Sequence, residues 1–176
     1  AFEAPLRFHL VDRIEAWYPG ERAVGIKCLT MTEDYLEQHF PGWPVMPGVL
    51  LLESLAQLSG YLLGDTEARE GRRILAIMSM VEKAKFRKMV RPGDQVWLHA
   101  TIANRGPDAA KVDVKALVDG EPVCDARILF TYWTPEDGGM QRDLEVRHQN
   151  LLSLCRYCVE GDPPKAGQDH VLAGTP

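Results

Sequence analysis

This chain of 176 residues is short of several things, and each shortage narrows what it can be. No apolar run reaches the roughly 18 residues that a membrane-spanning helix needs. The longest candidate, residues 49–63, is interrupted by Glu53, Ser54, Gln57 and Ser59. Positive charge is in deficit: 20 Lys and Arg stand against 25 Asp and Glu, a net charge of −5. That balance argues against a general nucleic-acid binder. Cysteine is sparse and scattered, at Cys28, Cys124, Cys155 and Cys158. No dense disulfide framework is expected from it, and a reducing cytoplasm is the default setting. The first residues lack a basic stretch followed by an apolar one, so no secretory leader is expected. There is no internal repeat.

Cys155 and Cys158 form a Cys-x-x-Cys pair with no second pair to match it. A structural zinc takes four ligands, and the spacing to His148 and His170 fits no usual zinc pattern. Neither a metal site nor a redox pair is expected there, and the two cysteines read as the apolar face of a helix.

What is present is an ordinary globular composition, 45% hydrophobic and 26% charged, in a chain long enough for one domain. Residues 10–17 read as a first strand, and Tyr18-Pro19-Gly20-Glu21 as a turn. Val24, Ile26 and Cys28 alternate with Gly25 and Lys27, as in a half-buried strand. Residues 35–45 form an irregular loop. From Val49 to Leu63 the chain is apolar nearly all round, which predicts a helix buried on most faces and not laid on a surface. Pro47 suits its first turn, and Gly64-Asp65 is the expected stop. Strands follow over residues 74–86, 95–103, 110–118 and 123–133. Asp119-Gly120 supplies a hairpin turn between the last two.

One buried helix followed by an antiparallel meander is an α+β pattern. It implies a curved sheet wrapped around the helix over residues 1–134. Residues 135–176 are expected to hold a linker, an amphipathic helix near 141–159 and a disordered tail.

Three residues stand out as chemistry. Glu53 is a lone carboxylate in the apolar helix, costly to bury unless it is paired or used. The plain alternative is a structural glutamate facing an Arg or Lys. Gln57 lies four residues on and shares its face. Gly60 and Gly64 continue that stripe with little bulk, as the wall of a narrow channel would. His39 precedes the rigid Phe40-Pro41-Gly42 turn, and an imidazole suits proton abstraction at cellular pH. Gly48 opens the helix, where backbone N–H groups lack intrahelical acceptors and favour negative charge. A base, an acid and an oxyanion donor together describe proton abstraction beside a carbonyl with loss of a β-hydroxyl.

The run His39-Phe40-Pro41-Gly42-Trp43-Pro44-Val45-Met46-Pro47-Gly48-Val49, entering Leu50-Leu51-Leu52-Glu53-Ser54-Leu55-Ala56-Gln57, closely resembles the signature of the FabZ-type (3R)-3-hydroxyacyl-acyl-carrier-protein dehydratases of the hot-dog fold. Leu10-Val11-Asp12-Arg13-Ile14, Lys83-Ala84-Lys85-Phe86-Arg87 and Val90-Arg91-Pro92-Gly93-Asp94-Gln95 resemble further parts of that family, so the likeness covers about residues 6–133.

The resemblance implies formation of the trans-2-enoyl thioester and water. His39 would be the base, and Glu53 would protonate or orient the departing hydroxyl. The Gly48 N–H would hold the thioester oxygen, with Gln57 supporting Glu53. It implies no cofactor. It also implies a site shared between the histidine of one subunit and the glutamate of the next, so a homodimer at least, with trimers of dimers among the relatives. Glutamate at position 53, where the dehydratase/isomerase (FabA-type) relatives carry aspartate, favours simple dehydration.

Three departures from the pattern stand out. Trp43 replaces a more usual polar or basic residue, the segment before Leu10 diverges, and some 40 residues follow the last strand. The extension points toward specialised lipid or polyketide synthesis. Lys83, Lys85, Arg87, Lys88 and Arg91 cluster in an acidic chain and are the expected docking patch for an acidic acyl carrier protein. The alternatives are a hot-dog acyl thioesterase and a non-catalytic acyl-binding subunit. Tyr61, Met78, Met80 and Phe86 are the candidates for setting acyl chain length. His9, His99 and His170 are assigned no role.

Overall fold

Val112, Val114 and Ala116 are buried while Asp113 and Lys115 are exposed, and that alternation becomes one strand of a six-stranded antiparallel sheet. The computed structural model describes residues 8–37 and 39–134, together with Val146 and Leu154. The strands are β1 (Arg13–Tyr18), β2 (Arg22–Cys28), β3 (Leu75–Phe86), β4 (Gln95–Arg105), β5 (Ala109–Val118) and β6 (Glu121–Trp133), and one long helix, α1 (Gly48–Arg69), joins β2 to β3. Their order across the sheet is β1-β2-β4-β5-β6-β3. The chain therefore leaves β2, runs through α1, and re-enters at the far edge. The α+β hot-dog arrangement is the one observed, with α1 packed on β2 through β6.

Burial holds the helix in place. Leu55, Leu58, Leu62 and Leu63 are fully buried and Leu51 nearly so. Each contributes about 1.5–3 kcal/mol relative to exposure, far more than helix propensity supplies. Asp119 and Gly120, with φ of 51° and 77°, form the expected hairpin between β5 and β6. Paired positive φ values match the twist of the flanking strands.

Two boundaries differ from expectation. The helix does not stop at Gly64-Asp65 but continues to Arg69. The polar residues that resemble an end are held by tertiary partners. Trp17 Nε1 donates to Asp65 Oδ2 at 2.9 Å, and Gly20 N–H donates to Thr66 Oγ1 at 2.8 Å. The stop is Gly71, whose φ of +81° lets Arg72 N–H reach back to the Glu67 carbonyl at 2.9 Å.

The first strand begins at Arg13, not Leu10. Phe8 to Leu10 leave the sheet and lie along α1 instead, with Leu10 N–H donating to Gln57 Oε1 at 2.9 Å. Of the C-terminal extension, Val146 and Leu154 are helical, and Leu154 packs against the core. The other residues of the expected linker, helix and tail, Cys155 and Cys158 included, lie outside the described residues. No described helix is long and apolar enough to cross a membrane.

Candidate active site

The helix N-terminus is built to be bare. Pro47 holds an extended conformation (φ −55°, ψ 131°) and no side chain caps it. No acidic residue lies in the first turn. Leu50 and Leu51 N–H both turn to the Pro47 carbonyl, at 2.9 and 3.1 Å. The Gly48 N–H, at the very start, has no acceptor within the helix. The partial positive charge of the helix end is thus left for something else. Gly48 is also where α1 meets the ring of Phe86 from β3: a Cβ there would lie 2.9 Å from the ring.

Glu53 stands half-buried, one and a half turns further along. Its carboxylate Oε1 accepts from Gln57 Nε2 at 3.0 Å across one turn. The same amide nitrogen donates to the Phe8 carbonyl at 3.3 Å, and its oxygen accepts from Leu10 N–H. No cation pairs with Glu53 among the described residues, so the plain structural alternative of an Arg or Lys partner is not what the structure shows.

His39 sits in the loop before the helix, half-buried, its N–H donating to the Tyr35 carbonyl at 3.1 Å. The next residue, Phe40, adopts φ of 57°, uncommon for a bulky side chain. Trp43 N–H closes that turn on the Phe40 carbonyl at 2.8 Å. The reversal brings the Phe40 ring against the imidazole, with centroids 4.3 Å apart and the planes tilted by 56°. Within one chain no hydrogen bond or ion pair joins His39 to Glu53 among the described residues.

The basic patch is exposed but less free than its composition suggests. Arg87 Nε donates to Asp125 at 2.7 Å, and Lys88 Nζ approaches Glu121 at 3.5 Å. The Arg91 guanidinium lies 5.7 Å from the Trp43 ring centroid, tying the loop to the β3–β4 turn. Lys83, at φ of 55°, marks a bulge where β3 slips register against β6, and presents itself and Lys85 to solvent. A recess of about 660 Å³ includes Lys83, Arg87, His99, Lys115 and Arg127. None of His39, Gly48 or Glu53 lines it.

One residue set aside by sequence reasoning proves engaged: His9 Nε2 is 2.8 Å from the Tyr61 hydroxyl. The only sequence signal was Tyr61's spacing, four residues beyond Gln57 on the same helical face.

The geometry belongs to a family of acyl-thioester proteins: the FabA-like domain family matches residues 3–127, and the chain belongs to it. Among relatives, the 3-hydroxyacyl-[acyl-carrier-protein] dehydratase FabZ of Listeria monocytogenes is 41% identical over 123 residues, covering 70% of this chain and 84% of that protein. The enzyme of the same name from Bacillus pumilus is 42% identical over 125 residues, covering 70% and 85%. Of solved structures, the dehydratase heterocomplex ApeI:P from Xenorhabdus doucetiae superposes with a TM-score of 0.62 at 13% identity, covering 80% of this chain and 91% of that one. The smu.793 protein from Streptococcus mutans, bound to acetyl CoA, gives 0.55 at 14% identity, covering 78% and 94%. At such identities these structures speak for the fold alone.

Proposed function

We propose that this chain dehydrates (3R)-3-hydroxyacyl-acyl-carrier protein to the trans-2-enoyl thioester in fatty-acid synthesis. The carrying observation is the uncapped helix start at Gly48, with Glu53 on the same helix and His39, against the Phe40 ring, in the loop before it. Relatives of about 40% identity, from Listeria, Lactobacillus helveticus and Bacillus pumilus among others, are named as this dehydratase. The thioesterase and binding-subunit readings have no comparable support.

In this mechanism the neutral His39 imidazole takes a proton from the carbon next to the thioester carbonyl. Charge develops on the thioester oxygen, held by the Gly48 N–H at the positive helix end. As the C–O bond at the β-carbon breaks, Glu53 gives its proton to the departing hydroxyl, which leaves as water. One proton returned from His39 to Glu53 resets the site. Gln57 holds the carboxyl by its amide.

The pair works across a dimer in this account. The supporting observation is that no hydrogen bond or ion pair joins His39 to Glu53 within one chain among the described residues, while edge strand β3 exposes Ile77, Met78 and Met80. An apolar edge invites another strand. A trimer of dimers is the higher assembly that the family resemblance implies. The carrier protein docks on Lys83, Lys85, Arg87, Lys88 and Arg91. A cytoplasmic location fits the unpaired thiols of Cys28 and Cys124.

The variants His39→Ala and Glu53→Gln test the reading. Each should lower turnover by about 10²–10⁴-fold, the usual worth of a positioned acid or base, with circular dichroism and assembly unchanged. Full activity in either variant refutes the assigned roles.

A further inference from the structure

Residues 53, 57 and 61 recur every four positions and form one stripe along α1. Beside it run Phe8, His9 and Leu10, detached from the sheet. Each residue of that segment makes one contact to the stripe. The Phe8 carbonyl accepts from Gln57 Nε2 at 3.3 Å, Leu10 N–H donates to Gln57 Oε1 at 2.9 Å, and His9 Nε2 meets the Tyr61 hydroxyl at 2.8 Å. The His9 and Tyr61 rings also stack edge-on, 5.7 Å apart at 66°.

The two backbone contacts decide which way the Gln57 amide faces. In the observed orientation its nitrogen serves Glu53 and Phe8 while its oxygen serves Leu10. A flipped amide would set its oxygen against the Glu53 carboxylate and the Phe8 carbonyl, and its N–H groups against the Leu10 N–H. Both backbone contacts would turn repulsive, and Glu53 Oε1 would lose its N–H donor. Glu53 thus faces a hydrogen-bond donor because segment 8–10 lies in this register. The segment is outside the ladder of β1, and the His9–Tyr61 bond ties a side chain of it to the stripe.

We propose that His9 and Tyr61 are positioning residues that clasp segment 8–10 to α1 and thereby fix the Gln57 amide and the Glu53 carboxyl for proton donation. The inference rests on the reading of Glu53 as the proton donor and extends it two helical turns down the stripe. Burial holds His9 below its ordinary pKa, against a smaller opposing effect of Asp12. The neutral ring carries one acceptor nitrogen and one donor, and the tyrosine hydroxyl can meet either.

The test is steady-state kinetics of the full chain on 3-hydroxyacyl-carrier protein of several chain lengths. Tyr61→Phe, His9→Phe and His9→Gln are compared in the wild-type and Gln57→Leu backgrounds. Tyr61→Phe and His9→Phe should lower kcat by about tenfold, the scale of a small misplacement of a catalytic group, with KM unchanged at every length. His9→Gln, which returns a polar atom near the Nε2 position, should recover most of the rate. Neither phenylalanine variant should lower kcat further once Gln57 is leucine.

A fall in melting temperature with kcat intact would overturn the proposal and leave a structural clasp. A KM change that follows chain length would overturn it in favour of a wall of the acyl site. If His9→Phe does not fold, Tyr61→Phe, which removes a single hydroxyl, carries the test alone. Glu53→Gln is the control. If it remains active, the proton-donor reading fails and this inference with it. If it is inactive while His9→Phe and Tyr61→Phe turn over normally, only the inference falls.

Discussion

A methyl group added at Gly48 would lie 2.9 Å from the Phe86 ring, so the first residue of α1 and the last of β3 meet where glycine has no side chain. Two demands coincide there, the fit of the ring and the approach of substrate to a bare N–H. They separate by mutation. In Gly48→Ala the half-exposed ring swings aside and helix propensity improves, so stability should change by less than about 1 kcal/mol. Dehydration should fall on the order of a hundredfold, the scale of a lost oxyanion donor, because the methyl holds the substrate oxygen off the N–H that alanine retains. In Gly48→Ala/Phe86→Ala the steric conflict is gone but the loss should remain. Recovery of activity in that double variant would assign glycine to ring packing alone.

Edge strand β3 carries the prediction about assembly. Ile77 is 44% and Met80 53% exposed, on a strand with an unpaired edge. Ile77→Lys/Met80→Lys should give a monomer by light scattering, folded but inactive. Mixing His39→Ala chains with Glu53→Gln chains should then restore about a quarter of wild-type activity through randomly paired two-fold dimers. No recovery on mixing would place both residues in one chain's site.

Docking of the carrier rests on exposed charge, and the ion pairs sort the patch. Lys85 carries no ion pair among the described residues, whereas Arg87 is bound to Asp125. Lys85→Glu should raise KM for carrier-bound substrate severalfold without affecting a small thioester analogue, and the effect should fade at high salt. Arg87→Glu should do the same with an added stability cost, because Asp125 loses its partner. Equal effects on both substrates would sink the docking idea.

The far end of α1 is a stability element. Glu67 is fully buried and receives Arg105 Nη1 at 3.0 Å and the Arg72 guanidinium. Arg105→Ala leaves Arg72 as the cation facing both Glu67 and Glu70. It should lower unfolding free energy by about 1–3 kcal/mol in urea titration. Turnover at low temperature should be unchanged, since the pair lies more than three helical turns from Glu53. A large kcat loss in a well-folded variant would show that the helix end does more than hold the fold.

Much of this architecture was legible in the residues. The apolar run from Val49 announces a buried helix because few other placements hide so many leucines, and Asp119-Gly120 announces a hairpin because its backbone angles suit few residues. The helix end was not legible. Gly64-Asp65 has a stop's composition, but Trp17 and Gly20, more than 40 residues away, satisfy the polar groups that follow. The site shows the same division. His39, Gly48, Glu53 and Gln57 stand out by type and spacing along the chain. The Tyr61–His9 bond and the Phe40 ring against His39 depend on where the N-terminal segment and the loop come to rest. The pairing that quiets Arg87 depends on strand register, which no local pattern encodes.

The central claim is that His39 and Glu53 together remove water from a carrier-bound 3-hydroxyacyl chain, and mass spectrometry of the acyl carrier measures it directly. Wild-type protein incubated with a chain-length series of (3R)-3-hydroxyacyl-carrier protein should convert it to a species lighter by one water. Conversion should depend on chain length and be absent with His39→Ala and with Glu53→Gln. No loss of water at any length, or undiminished loss in either variant, would contradict the account.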